Sequence, residues 1–190
     1  MINTATALDE AAVISALVLA FSTDPAVRWT WPDPQQYLRN FPPFVKAFGG
    51  RAFALGTAHV APDFAGAALW LPPGAEIDDE GVTDIVESTV SKQAENDVFP
   101  LLEQMGLHHP KAPHWYLPLI GVDPSRQNQG LGAALMKHAL TACDRDGQLA
   151  YLESTNPRNV PLYERHGFEV LARLQVGSSP PIFPMLRQPR

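Results

Sequence analysis

Hydrophobic residues near the N-terminus recur with the period of a helix. Val13, Leu17 and Phe21 stand at intervals of four, which places them on one helical face. They are preceded by Asp9, a residue type that favours the first position of a helix. The pattern therefore predicts an amphipathic helix from Asp9 to about Phe21.

A second helix is predicted from Asp33-Pro34, a capping residue followed by a proline in the first turn, to about Phe48. Pro42-Pro43 lies inside it, and because proline donates no backbone hydrogen bond we expect a break or kink there. Between the two helices, Trp29 and Trp31 fall in a proline-marked segment that we interpret as a loop.

Apolar runs bounded by turn residues predict the strands. They cover residues 57–61, 66–71, 115–122, 149–153, 168–176 and 182–187, with a further short strand at 3–5. Pro118 lies inside the run from Trp115 to Val122, so this central strand must have an edge or a bulge at the proline. The segment 75–110 begins with acidic residues, has broken helical periodicity and predicts no clear element.

Composition and charge predict one domain and argue against nucleic acid and membranes as partners. With 190 residues the chain is expected to form one domain, residues 1–190. Its 14 basic and 20 acidic residues give a net charge of −6, which argues against nucleic acid as a partner, because nucleic acid is bound through clustered Lys and Arg. We recognise neither a membrane span nor a signal peptide and expect no membrane association. The single cysteine, Cys143, fits a reducing compartment, so the cytoplasm is the expected location.

A glycine turn follows the predicted central strand and has the strongest functional signal. Asp123-Pro124 ends the strand, and Gly130-Leu131-Gly132 opens a long helical pattern. Amides at the start of a helix lack intrahelical partners and carry partial positive charge, so such a turn is suited to phosphate. The turn is not a P-loop, because no Lys-Ser or Lys-Thr follows the glycines. It is not a dinucleotide fingerprint either, because Leu135 stands where the third glycine is required.

The run Gln127-Asn128-Gln129-Gly130-Leu131-Gly132 resembles the Q/R-x-x-G-x-G/A motif of the GNAT superfamily of acetyl-CoA-dependent N-acetyltransferases. That superfamily carries downstream an Asn, a Tyr four residues later, and Gly-Phe, which match Asn159, Tyr163 and Gly167-Phe168. Residues 115–170 are similar to the puromycin N-acetyltransferase branch. The resemblance implies an α/β (α+β) fold whose mixed, mostly antiparallel sheet has a splayed central strand pair and flanking helices. Residues 113–170 would form its cofactor-binding and catalytic core.

The resemblance also implies acetyl-CoA as the cofactor. Its pyrophosphate would be bound by backbone amides of the turn, which belong to Gln127, Asn128, Gln129, Gly130, Leu131, Gly132 and Ala133. Val122 would form strand-like hydrogen bonds to the pantetheine arm. Asn159 would contact the same arm, cap its own helix, or do both. An unpaired amide near Ile120 would face the thioester carbonyl and stabilise the charge that develops on its oxygen.

Two residues are candidates for acid–base chemistry. Tyr163 is the candidate general acid, because a phenol with a pKa of about 10 still carries its proton when a thiol, with a pKa of about 8.5, has lost its own. Its alternative role is aromatic packing in the core. Glu153 is the candidate base that removes a proton from the amine, directly or through water. Its alternative role is a salt bridge or a contact with the loop that follows.

The amine site has four candidates: Trp29, Trp31, His114 and Tyr116. The tryptophans either form the floor of a pocket or anchor their loop on the core. His114 and Tyr116 lie near the central strand and could relay a proton, or could be structural. The spacing of His108, His109 and His114 does not match a metal site, so no metal is predicted.

The leading hypothesis is an N-acetyltransferase that acts on the primary amine of a small molecule. The first alternative is acetylation of a protein or peptide, which requires an open groove rather than a closed pocket. The second is a non-catalytic sensor that binds acyl-CoA and could dispense with Tyr163. A homodimer is compatible with the fold, although no sequence feature establishes one.

Overall fold

A single mixed sheet organises the chain. The computed structural model describes the backbone of residues 1–190 and the side chains of all of them except Gln93. Within that described backbone the strands are β1 (Asn3–Thr4), β2 (Ala58–Val60), β3 (Gly66–Leu71), β4 (His114–Val122), β5 (Leu149–Ser154), β6 (Glu169–Val170) and β7 (Phe183–Arg187). They form one seven-stranded sheet in the order β1-β2-β3-β4-β5-β7-β6. β4 and β5 are parallel, and the other neighbouring pairs are antiparallel.

Helices cover both faces of the sheet, which confirms the predicted fold class. They are α1 (Glu10–Ala20), α2 (Pro25–Thr30), α3 (Pro34–Gly49), α4 (Arg51–Leu55), α5 (Asp79–Thr89), α6 (Lys92–His108), α7 (Leu131–Arg145) and α8 (Val160–Arg165). The predicted cap of α3 is confirmed, because Asp33 Oδ1 accepts from the Gln36 amide at 2.9 Å. Asp9 precedes α1 as predicted, but its carboxylate accepts from the Thr6 amide and hydroxyl instead.

Strand β3 shows how the two faces are filled. All six of its residues are buried, and successive side chains of a strand point to opposite faces. Ala67, Leu69 and Leu71 pack into one core with α1 and α3, whereas Ala68 and Trp70 pack into the other with α7. The N-terminal helices and the glycine-turn helix therefore lie on opposite sides of the sheet.

The parallel pair of strands separates halfway along β4. Residues 114–117 of β4 pair with residues 149–152 of β5, whereas pairing with β3 continues to Val122. Pro118 is the first residue past the part paired with β5. Tyr116 pairs with Leu71, and Leu119 pairs with Leu69. Between these two pairs, β4 has two residues and β3 has one, which is a β-bulge. The bulge and the splayed central pair predicted from Pro118 and from the resemblance are both confirmed.

Several sequence predictions were wrong in the N-terminal half. Helix α3 continues through Pro42-Pro43, so the predicted break is absent; Leu38 and Arg39, whose carbonyls lose a donor, are exposed residues. The predicted loop that carries Trp29 contains α2, capped by the Asp24 carboxylate through the amides of Ala26 and Val27.

Three further helices were not predicted. They are α4, α5 and α6. Segment 75–110 forms α5 and α6, and α6 continues through Pro100. Among the helices that the structure describes, none is both long and apolar enough to cross a bilayer.

Candidate active site

The separation of β4 from β5 leaves room for two cavities that meet beside β4. The larger one, here called the groove, has a volume of about 630 Å³ and lies between the end of β4, the glycine turn and α8. The smaller one, here called the cavity, has a volume of about 140 Å³ and lies between β4, β5 and the helices α2, α3, α5 and α6. Four residues line both: Phe21, Ile120, Asn159 and Tyr163.

The glycine turn forms one wall of the groove. Most of the predicted cofactor residues line it: Ile120, Val122, Gln127, Asn128, Gly130, Leu131, Gly132, Ala133 and Asn159. Gln129 does not line it, and its amide oxygen accepts from Arg126 Nε at 3.4 Å. Asn128 and Gly130 have left-handed backbones, with φ of 61° and 80°. Gly130 offers no side-chain cap, so the first amides of α7 remain available to an anion at the groove.

Three arginines that the sequence reasoning missed also line the groove. Arg126 follows β4, Arg158 precedes α8 and Arg165 ends it. Together with the helix N-terminus they give positive charge to this part of a chain whose net charge is −6. Guanidinium groups and free amides are the donors that phosphates prefer. The residues present therefore fit a ligand with several phosphates, as coenzyme A has.

Val122 has a local partner as well. Its carbonyl accepts from Gln127 Nε2 at 3.2 Å, a contact that a ligand using that carbonyl would have to displace. Ile120 lies in the part of β4 that is past the pairing with β5. Its predicted role as an amide donor is compatible with that position, since no described β5 residue pairs with it.

Asn159 and Tyr163 stand where the two cavities join. Asn156, not Asn159, provides the cap of this segment, accepting from the Arg158 amide at 3.1 Å. The side chain of Asn159 is exposed and makes no capping bond. Tyr163 is buried, with its ring 6.3 Å from that of Phe168. Burial, and then the Asp24 carboxylate, raise the pKa of its phenol above the usual range, so Tyr163 keeps its proton at neutral pH.

The walls of the cavity are apolar and rich in aromatic rings. Both predicted tryptophans line it. Trp29 Nε1 donates to Ser178 Oγ at 3.1 Å, and Trp31 Nε1 donates to Thr89 Oγ1 at 3.0 Å, so each ring is fixed at its polar end. Much of the remaining wall consists of phenylalanines of α3 and aliphatic residues of α5 and α6: Phe41, Phe44, Phe48, Val82, Val86, Val98, Leu101, Leu102 and Met105.

Glu153 is the one charged residue among the described residues that line the cavity. It follows the part of β5 that pairs with β4, and its side chain is only 5% exposed. A carboxylate in such surroundings has little water to solvate it and attracts a cation strongly. The structure thus brings Glu153 and Tyr163 to the same cavity.

His114 and Tyr116 do not line the cavity. Both contact His109, whose Nδ1 atom lies 3.8 Å from Glu153 Oε1. Burial lowers the pKa of His114, and burial together with the Glu153 charge raises that of Tyr116. Among the residues whose side chains are described, no group of three or more His, Cys, Asp or Glu is arranged to hold a metal ion.

Comparison with known proteins explains this geometry. The family model of the acetyltransferase (GNAT) family matches residues 28–168. The chain belongs to the GNAT acetyltransferase family. Enzymes of this family are acyltransferases that use acetyl-CoA as co-substrate.

Relatives within the GNAT family differ in their substrates. An uncharacterized N-acetyltransferase of Schizosaccharomyces pombe is 31% identical over 118 residues, which cover 56% of this chain and about half (48%) of that protein. A Corynebacterium glutamicum structure described as histone acetyltransferase HPA2 and related acetyltransferase is 26% identical, with a TM-score of 0.71 over 100% of this chain and 96% of the other. Arylalkylamine N-acetyltransferase 2 of Aedes aegypti has a TM-score of 0.69 at 14% identity, covering 100% and 99%. These similarities do not distinguish a small amine from a protein as the acceptor.

The two glycines of the turn should respond differently to alanine. Gly130 needs a left-handed backbone, which costs an alanine about 1–2 kcal/mol. A Cβ at Gly132 would make only ordinary contacts, the nearest being 3.6 Å from Leu162. We expect Gly130→Ala to lower the free energy of unfolding by about that amount and to weaken coenzyme A binding about tenfold. Gly132→Ala should keep the free energy of unfolding within about 0.5 kcal/mol of wild type.

Urea unfolding and calorimetric titration with coenzyme A measure both quantities. Equal stability and equal affinity of the two variants would contradict the assigned role of Gly130.

Proposed function

We propose that this enzyme transfers the acetyl group of acetyl-CoA to the primary amine of a small molecule with an apolar, aromatic body. The observation that carries the proposal is the small aromatic cavity with a single carboxylate, which meets the phosphate-suited groove at Tyr163. An apolar cavity of similar volume accommodates a molecule of about the size of benzene. An acceptor with one aromatic ring and a short aminoalkyl chain therefore matches its size, its apolar walls and its one charge.

The groove residues would hold the cofactor, which supplies the acetyl group as an activated thioester. Arg126, Arg158 and Arg165 and the amides of residues 127–133 would bind its phosphates. The open side of β4 at Ile120 and Val122, together with Asn159, would bind the pantetheine arm. Arg126 adjoins the glycine turn, Arg158 precedes α8 and Arg165 ends it, so binding would tie the turn to α8.

Ile120 and Tyr163 would act on the reacting group. The Ile120 amide would donate to the carbonyl oxygen as negative charge develops there, a type of contact worth about two to three powers of ten in rate. Tyr163 would donate its phenol to the departing sulfur. Its raised pKa keeps the phenol protonated at neutral pH until charge builds on the sulfur.

Glu153 would bind and deprotonate the amine. An alkylamine has a pKa near 10 and arrives as an ammonium ion, which the buried carboxylate attracts. The nitrogen must lose a proton before it can attack, and Glu153 is the one anionic side chain of the described cavity lining. The aliphatic residues of α5 and α6 would select among acceptors by shape, and segment 75–110 would thus contribute to specificity.

Acetylation of a protein or peptide is the second candidate, favoured by the 26% identity to the structure described as a histone acetyltransferase. The small volume of the cavity, about 140 Å³, and its apolar walls favour the small amine instead. The fold similarity to an arylalkylamine N-acetyltransferase agrees with the aromatic walls but at 14% identity adds only the fold. Within the family we propose the puromycin N-acetyltransferase-like branch, from the resemblance of residues 115–170. We also propose the cytoplasm as location, from the single cysteine, and leave a homodimer as a hypothesis.

Thiol release from acetyl-CoA tests the acceptor class. The panel contains arylalkylamines, puromycin, polyamines, amino sugars and short peptides. We expect turnover with an aromatic amine, with kcat/KM at least about tenfold above that of any polyamine or peptide. Preferential acetylation of peptides would contradict the proposal.

A matched pair of variants on α6 checks that the cavity is the acceptor site. Met105 lines the cavity, whereas Leu107 is 78% exposed on the same helix. Met105→Trp should raise KM for the aromatic amine at least about tenfold by filling the space, and Leu107→Trp should leave it unchanged.

Tyr163→Phe tests the general acid. The variant keeps the buried ring and removes the proton, so we expect unchanged affinity for coenzyme A and a kcat lower by roughly two powers of ten. Calorimetry measures the affinity for coenzyme A, and steady-state kinetics measure kcat. Turnover equal to wild type would remove Tyr163 from the mechanism.

A further inference from the structure

Two histidines form a line that leads away from Glu153. His109 Nδ1 lies 3.8 Å from Glu153 Oε1, and His109 Nε2 lies 2.9 Å from His114 Nε2. His114 Nδ1 lies 2.8 Å from the carbonyl oxygen of Ala112. His109 directly follows α6, and sequence reasoning gave it no role beyond membership of a rejected metal cluster.

The carbonyl of Ala112 sets the direction of every hydrogen bond in this line. A carbonyl oxygen only accepts, so Nδ1 of His114 carries the proton of its neutral ring. Nε2 of that neutral ring can then only accept, and Nε2 of His109 must donate to it. A neutral His109 is thereby left with an unshared electron pair on Nδ1, which faces Glu153.

The distance between His109 Nδ1 and Glu153 Oε1 agrees with this assignment of protons. An ionised carboxylate and an unprotonated Nδ1 are both acceptors and have no proton to share, which fits a separation of 3.8 Å rather than a hydrogen bond. Once Glu153 carries a proton, a movement of about 1 Å brings the two atoms to hydrogen-bond distance. The side chain of Glu153 is 5% exposed and that of His109 is 35% exposed, so the line runs from the buried site towards water.

The proposed reaction needs such an exit for a proton. An ammonium substrate and acetyl-CoA give an amide, free coenzyme A and one proton: the N–C bond forms, the C–S bond breaks, and the nitrogen loses two protons. One of these is balanced by the proton that the sulfur gains through Tyr163. The other reaches Glu153 and must leave an apolar cavity before the next turnover.

We propose that His109 is a relay residue that takes this proton from Glu153 and releases it to solvent, and that His114 is a positioning residue that keeps Nδ1 of His109 free to accept it. The inference rests on the proposed function for its purpose, but its hydrogen-bond geometry stands without it.

The surroundings of His109 hold the ring in place. Tyr116 and Tyr151 contact it edge to face, each with its ring centroid at 4.7 Å. Burial and then the neighbouring Glu153 carboxylate raise the pKa of both phenols, so they stay protonated beside Glu153 and do not take its proton. Glu153 faces Nδ1 of His109, and His114 faces Nε2. Asp79 of α5 adds negative charge near Tyr116. Burial lowers the pKa of His114, which favours the neutral ring that the line requires.

Nitrogen-15 NMR of the histidine rings tests the geometry without any substrate. At neutral pH we expect the proton of His114 on Nδ1, with Nε2 in the shift range of a hydrogen-bonded acceptor. In His109→Phe the Nε2 signal should move to the range of an unbonded nitrogen. A proton on Nε2 of His114 in the wild type would overturn the proposal, whether or not an acceptor amine is known.

Kinetics test the relay. His109→Phe keeps the aromatic packing against Tyr116 and Tyr151 and removes the acceptor nitrogen, and His109→Gln serves if the first variant does not fold. At pH 7 we expect kcat/KM for an alkylamine to fall at least about tenfold, and the deficit to shrink as pH rises towards the pKa of the amine. An analogue of the same amine with several fluorines on the carbon next to the one that bears the nitrogen is a much weaker base. It binds neutral at pH 7, releases no extra proton, and should lose less than about twofold in kcat/KM.

His108→Gln is the matched control. His108 adjoins His109, but its Nδ1 contacts the Gln104 carbonyl at 2.9 Å and lies outside the line. Its kinetics should equal those of wild type. If wild type acetylates an amine and His109→Phe matches it with both substrates, the relay is overturned and the proposed function stands. If wild type acetylates no amine, the proposed function fails, and the NMR result still decides the geometry.

Discussion

The separation of β4 from β5 after Leu117 is the constraint on which the site depends. A parallel pair of strands normally continues its ladder, and here it stops at a proline that contributes no donor and stands in a bulge. On its other side β4 remains paired with β3 as far as Val122. The opening therefore does not collapse, and one wall of it is a strand edge inside the protein. Both the groove and the cavity use that edge, and Ile120 belongs to both.

The two sides of this opening differ in charge and therefore suit different ligands. On the groove side, arginines and the N-terminal amides of α7 suit phosphates. On the cavity side, aromatic walls surround one carboxylate, which suits a small organic cation. Tyr163 stands between them with its phenol kept protonated by burial. The net charge of −6 describes the whole surface and does not reveal the positive groove, because the arginines come together only on folding.

The parts that could be predicted from sequence are those coded by neighbouring residues. The strand with Pro118, the glycine turn and the short helix with Tyr163 are continuous stretches whose turn and cap residues act locally. Helices α5 and α6 were missed because their apolar faces are interrupted and they are stabilised by packing around the cavity. Pro42-Pro43 misled the prediction because exposed carbonyls tolerate the loss of a donor. The arginines of the groove and the position of His109 depend on segments far apart in the chain, so no local pattern could indicate them.

A crystal structure of the enzyme with coenzyme A tests the central claim most directly, which is that the opened edge of β4 receives the cofactor at the junction of the two cavities. We expect the pantetheine arm alongside residues 120–122, the pyrophosphate at the amides of residues 130–133, and the sulfur within about 4 Å of the Tyr163 hydroxyl, a distance from which a proton can be donated after a small movement. A cofactor that lies outside the opening, or a sulfur remote from Tyr163, would contradict the account.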